Sequence, residues 1–171
     1  MKIKIILIIS FLLVGCSGPN PKSELESCPK VYFSQNHNTY ITTDKNSLTL
    51  ENVTFRAHIN NYFTKELCDL DNNTLLVDLS LLFVVKPENI KEPYISMPIY
   101  IATINSQDEI KDIQYFLVEG ELKKNEEKEF IETEINNKFS IKIPNKDSIS
   151  GLKNKILIGY MLDNEKIEIL N

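Results

Sequence analysis

Three thiols and two imidazoles carry most of the chemistry open to this chain: Cys16, Cys28 and Cys68, with His37 and His58. A thiol or hydroxyl beside an imidazole makes a nucleophile and its base, and four cysteine or histidine ligands in a tetrahedron hold zinc. Neither arrangement has its spacing here. There is no CxxC pair, the histidines are dispersed, and the GxSxG, HExxH and P-loop patterns are absent. His37 falls in the loop Ser34-Gln35-Asn36-His37-Asn38-Thr39 and His58 on the polar side of an alternating segment, so both read as surface histidines. No catalytic residue, metal site or cofactor is expected, and the chain does not read as an enzyme.

The carboxylates point the same way. Asp69-Leu70-Asp71-Asn72-Asn73 invites a calcium reading, but it lacks the glycine and closing glutamate of a calcium loop and reads better as an acidic hairpin turn. The glutamate-rich stretch from Glu119 to Glu134 reads as two solvated edge strands and their loop, where charge discourages sheet-to-sheet aggregation. Paired carboxylates for glycoside hydrolysis find no support in it.

Cys16 has a different context. Lys2 and Lys4 precede an apolar run from Ile5 to Val14, broken only by Ser10 and followed by Gly15. Such a run is too short to cross a bilayer, which takes ~20 residues, and it matches an export signal. Leu13-Val14-Gly15-Cys16 resembles the lipobox of bacterial lipoproteins. The resemblance implies a signal peptide over residues 1–15 and a Cys16 thiol that becomes the new N-terminus and carries acyl chains. Two or three chains anchor a protein stably where one does not. Ser17 in place of the aspartate that retains some lipoproteins in the inner membrane favours the periplasmic face of the outer membrane.

With residues 1–15 removed, 17 basic side chains face 24 acidic ones, and Arg56 is the single arginine. Nucleic acid is disfavoured as a partner, because phosphate binding needs clustered cations. In an oxidising compartment Cys28 and Cys68 form an even pair, and a disulfide is the expected use, with metal binding the rival. Asn52 and Asn72 match the glycosylation pattern, a coincidence in a bacterial chain rich in Asn and Thr.

The elements that must position these groups are strands. Residues 16–27, rich in Gly, Pro, Asn, Ser, Lys and Glu, read as a lipidated N-terminus and flexible tether that reaches at most ~35 Å. One domain is expected over residues 28–171. Val53, Phe55, Ala57 and Ile59 alternate with polar residues, and Ile113, Tyr115, Leu117 and Glu119 alternate again, as do Phe139, Ile141 and Ile143. Leu75 to Val85 is nearly all apolar and reads as a central strand covered on both faces. Residues 98–104, closed by Asn105-Ser106-Gln107-Asp108, and residues 155–162 complete the strong candidates. Val31 to Phe33, Thr39 to Thr43 and Phe130 to Thr133 are weaker. The predicted fold is a single antiparallel β-sandwich, immunoglobulin-like in layout, with a closed barrel as the alternative.

Taken together, Cys28-Pro29-Lys30-Val31, Leu48-Thr49-Leu50-Glu51-Asn52-Val53, Cys68 and the stretch from Ile158-Gly159-Tyr160-Met161-Leu162 to Glu165 resemble a group of small alphaproteobacterial envelope lipoproteins with no assigned activity. The resemblance supports the two cysteine roles and a β-rich domain. The lack of a catalytic constellation, with the anchor and the β fold, points to an envelope lipoprotein of structural or protein-interaction type, held to the membrane through Cys16 and contacting a periplasmic or envelope protein, its oligomeric state open. The alternative is a module binding lipid or glycan between its sheets.

Overall fold

The computed structural model describes residues 24–45, 47–144 and 154–170. They form β1 (Glu24–Ser27), β2 (Lys30–Phe33), β3 (Thr39–Thr43), β4 (Val53–Thr64), β5 (Leu67–Asp71), β6 (Thr74–Pro87), β7 (Tyr94–Ile104), β8 (Ile110–Glu121), β9 (Thr133–Pro144), β10 (Lys155–Tyr160) and α1 (Asn164–Leu170). Two sheets pack face to face as a β-sandwich. In the first, β6 is central, with β9 along one edge and β4 and β5 in succession along the other; β3 flanks β4 and β1 flanks β5. The second runs β2-β10-β7-β8, antiparallel except for the parallel pair β2 and β10.

The strand periodicity is set by the core. Every odd residue of β6 from Leu75 to Val85 is buried, against Met97, Ile99 and Ile101 of β7 and Ile156, Ile158 and Tyr160 of β10. Burying one such side chain stabilises by roughly 1.5–3 kcal/mol. The other face of β6 is only partly covered: Leu76, Leu82 and Val84 are half-buried and Asp78 is exposed. A sandwich strand has one core face, so the expectation of cover on both sides fails here.

Folding starts earlier in sequence than composition suggests. Glu24–Ser27, assigned above to the tether, pair with β5 as β1, and Cys28 N donates to Glu66 O just beyond. Residue 16 and the rest of the N-terminal segment lie outside the described residues.

Helix α1 has no counterpart in the sequence reading. Asp163 Oδ1 accepts from Lys166 N at 2.9 Å, the N-cap bond that opens it. Its Ile169 and Leu170 then cover Ile41, Leu48 and Val53, a small second cluster.

A bulge in β4 redirects its end. Ile59 opposes Phe83 but Asn61 opposes Leu82, so the phase slips by one residue. Tyr62 thereby turns inward to meet Phe33 edge-on, and Phe63 points to solvent.

Candidate functional site

The two cysteines of the domain meet. Cys28 and Cys68 form a disulfide with Cα atoms 5.0 Å apart, tying the start of the fold to the buried face of β5. Asp69 to Asn73 is a hairpin turn, with Asp71 opposite Thr74 and positive φ at Asn72 and Asn73, as a two-residue primed turn requires. The Asn52 side chain is spent inside its own loop, accepting from Thr49 N and donating to Ser47 O.

The histidines have separate structural surroundings. His58 lies exposed on β4 and its Nδ1 bonds the Thr39 hydroxyl at 2.9 Å. His37 sits in the loop that carries the chain from β2 to β3, and this loop docks on β10: Tyr160 N donates to His37 O at 2.7 Å, and His37 Nδ1 lies 3.2 Å from Tyr160 O. No group of three or more His, Cys, Asp or Glu side chains gathers as a metal site among the described residues. Arg56 is engaged by Glu88 at 2.6 Å.

What the fold leaves exposed is more informative. β8 is an edge strand, and its pairing with β7 sets Phe116 opposite Ile99 and Val118 opposite Met97, so these turn to the core. Phe116 meets Phe139 of β9 with centroids 5.0 Å apart. The alternating residues Ile113, Tyr115 and Leu117 therefore point outward, and Tyr115 and Leu117 are 63% and 58% exposed. The stretch Tyr115-Phe116-Leu117-Val118 is apolar on both sides, so periodicity alone cannot say which side meets the core.

Neighbouring strands extend this surface. Tyr115 lies opposite Tyr100 and Leu117 opposite Pro98 on β7, while Ile113 lies opposite Ala102, with Leu157 and Tyr32 following in that row across β10 and β2. Contiguous apolar surface on a sheet's outer face is the mark of a contact site. Charge borders it at both ends. Lys111 pairs with Glu109 at 2.8 Å and Lys155 with Asp108 at 2.8 Å near the β7–β8 turn, while Glu119 and Glu121 stand at the far end. The Lys111 ammonium and the Asn105 amide hold the Glu109 carboxyl below the usual range, and the Asp108 carboxylate raises Lys155.

The other long edge, β9, is different. Its outward residues Glu134, Asn136, Lys138, Ser140 and Lys142 are all polar and exposed. That edge carries the protection against pairing that β8 lacks. The glutamate-rich stretch does link two edge strands, as its composition suggested. Its tip repeats the β7–β8 turn: Asn105 Oδ1 accepts from Glu109 N and Asn125 Oδ1 from Glu129 N, with positive φ at Asp108 and Lys128. The shared Asn-x-x-x-Glu spacing is a signal that could have located the second turn.

Between the sheets the space is filled by the side chains of the main core, Phe83 and Tyr160 among the largest. A depression of about 450 Å³ lies elsewhere, lined by Phe63, Lys65, Asp78, Ser80 and Lys138 among others. No protein-family model matches the chain, and no curated protein or solved structure matches it either.

Proposed function

We propose that the protein is a non-catalytic interaction module of the bacterial envelope, lipid-anchored through Cys16, with the outer face of β8 as its contact surface. The anchor rests on the lipobox and the apolar segment before it. The contact surface rests on one observation: a long edge strand turns Ile113, Tyr115 and Leu117 to solvent while the other long edge is polar. The net negative charge of the processed chain disfavours nucleic acid, so the partner is protein.

A photocrosslinking residue placed at Tyr115 or Leu117 in living cells tests the surface. Covalent adducts are expected from these positions and not from Phe63, which is equally exposed on the other sheet. Failure of Ile113, Tyr115 and Leu117 alike to give an adduct refutes the contact surface. Intact-mass measurement of the processed chain tests the anchor, and an unmodified Cys16 refutes it.

A further inference from the structure

Resting on that reading of the surface, we propose that the partner is a second copy of this chain, joined by antiparallel pairing of β8 with β8 about a two-fold axis through Tyr115. Among the described strands β8 ends its sheet, and its pairing with β7 leaves alternate backbone groups without a strand partner. The Glu119 carbonyl, reached by Asn137 Nδ2 at 3.4 Å, points away from β7. By alternation the backbone groups of Leu117, Tyr115 and Ile113 do the same.

The choice of a second copy comes from the order of side chains at these positions. Lys111, Ile113, Tyr115, Leu117 and Glu119 run basic, aliphatic, aromatic, aliphatic, acidic. Reversed, this row is its own complement. With Tyr115 opposite Tyr115, Ile113 lies opposite Leu117 of the second copy and Lys111 opposite its Glu119. A shift of register by two residues in either direction loses the aromatic pair and sets a charged side chain opposite an aliphatic one, Ile113 opposite Glu119 or Lys111 opposite Leu117. Opposite charges and aromatic or aliphatic pairs directly across two strands stabilise a sheet, and like charges there destabilise it. A two-fold axis makes every such pair occur twice. The outcome is a continuous eight-stranded sheet whose exposed edge is now the short β2 of each copy.

Three measurements on the full chain test this. Wild-type protein is expected to sediment as a dimer. Tyr115→Cys, exposed and therefore harmless to folding, brings two thiols within disulfide reach and should give a covalent dimer under oxidation, whereas Phe63→Cys should not. Glu119→Lys should weaken the dimer roughly tenfold, and adding Lys111→Glu should restore it, because the reversed charges again oppose. A monomer in sedimentation, or a dimer that Glu119→Lys leaves unchanged, overturns the self-pairing. If the monomer nevertheless gives a cellular photoadduct with a different protein at Tyr115, the contact surface stands and the second copy falls. With no adduct at all, both fall.

Discussion

The ring of His37 meets that of Tyr100 edge-on, centroids 5.8 Å apart, directly over the backbone of Gly159. A Cβ at Gly159 would come within 2.7 Å of Tyr100 Oη and 2.8 Å of His37 Cβ. The glycine is needed there for close approach, since its φ is not positive. Gly159→Ala is expected to lose about 1–3 kcal/mol, the usual effect of overpacking, measured as a lower urea midpoint with an unchanged slope.

Replacing Cys28 and Cys68 together by alanine should remove the constraint on a loop closed across a separation of 40 residues. The chain-entropy estimate is roughly 4 kcal/mol. Denaturation with and without reductant checks it: reductant should lower the wild-type midpoint and leave the double variant unaffected.

Tyr160 is fully buried between Tyr40 and Phe83, and its hydroxyl has no hydrogen-bond partner among the described residues. Tyr160→Phe should be neutral or stabilising by about 1 kcal/mol, because an unsatisfied hydroxyl is removed and the shape kept. Burial raises the Tyr160 pKa above its ordinary value of 10.0. The native state then holds the phenol proton after the unfolded chain has released it, so stability is intact below that pH and falls above it. The alkaline unfolding midpoint of Tyr160→Phe should accordingly lie higher than that of wild type.

Asp163 closes the first turn of α1, and hydrogen bonds from the Lys166 side chain and backbone hold its carboxyl below the usual range. Its contribution is present above the unfolded aspartate pKa and is lost as pH falls through the folded one. Asp163→Ala should cost about 1 kcal/mol as a lost N-cap and loosen the cover over Ile41, seen as faster amide exchange in β3.

The phase of β8 is open to a paired test. Measured at dilutions where the chain is monomeric, Leu117→Ser should change stability by no more than about 0.5 kcal/mol, while Val118→Ser, on the buried side, should lose about 2 kcal/mol or more. Equal losses would mean that the strand is the other way round.

Much of the fold was legible because one residue in two had to be apolar. The start of β4 and the end of β9 declare themselves by alternation, β6 by its apolar length, and the turns at Asn72-Asn73 and Asn105 to Asp108 by their residue types. What stayed hidden has physical causes. Seven residues of α1 are too few to draw a helical stripe, although Asp163 and Glu165 carry the signs of a helix start. Glu24–Ser27 holds its place through backbone pairing with β5, which composition does not record. On β8 both faces are apolar, and only its pairing with β7 decides which is free. The order of strands in each sheet is likewise a matter of long-range pairing, invisible to local pattern.

The parallel pair of β2 and β10 joins Lys30 to Lys155 and Phe33 to Ile158, the opposite ends of the domain. Because β10 also separates β2 from β7, its sheet has a gap at the centre until β10 is available. During synthesis, then, the part of the core that Ile156, Ile158 and Tyr160 cover must wait for β10. Contacts so distant in sequence slow folding. A truncation removing β10 is therefore expected to leave β2 with no place in the sheet.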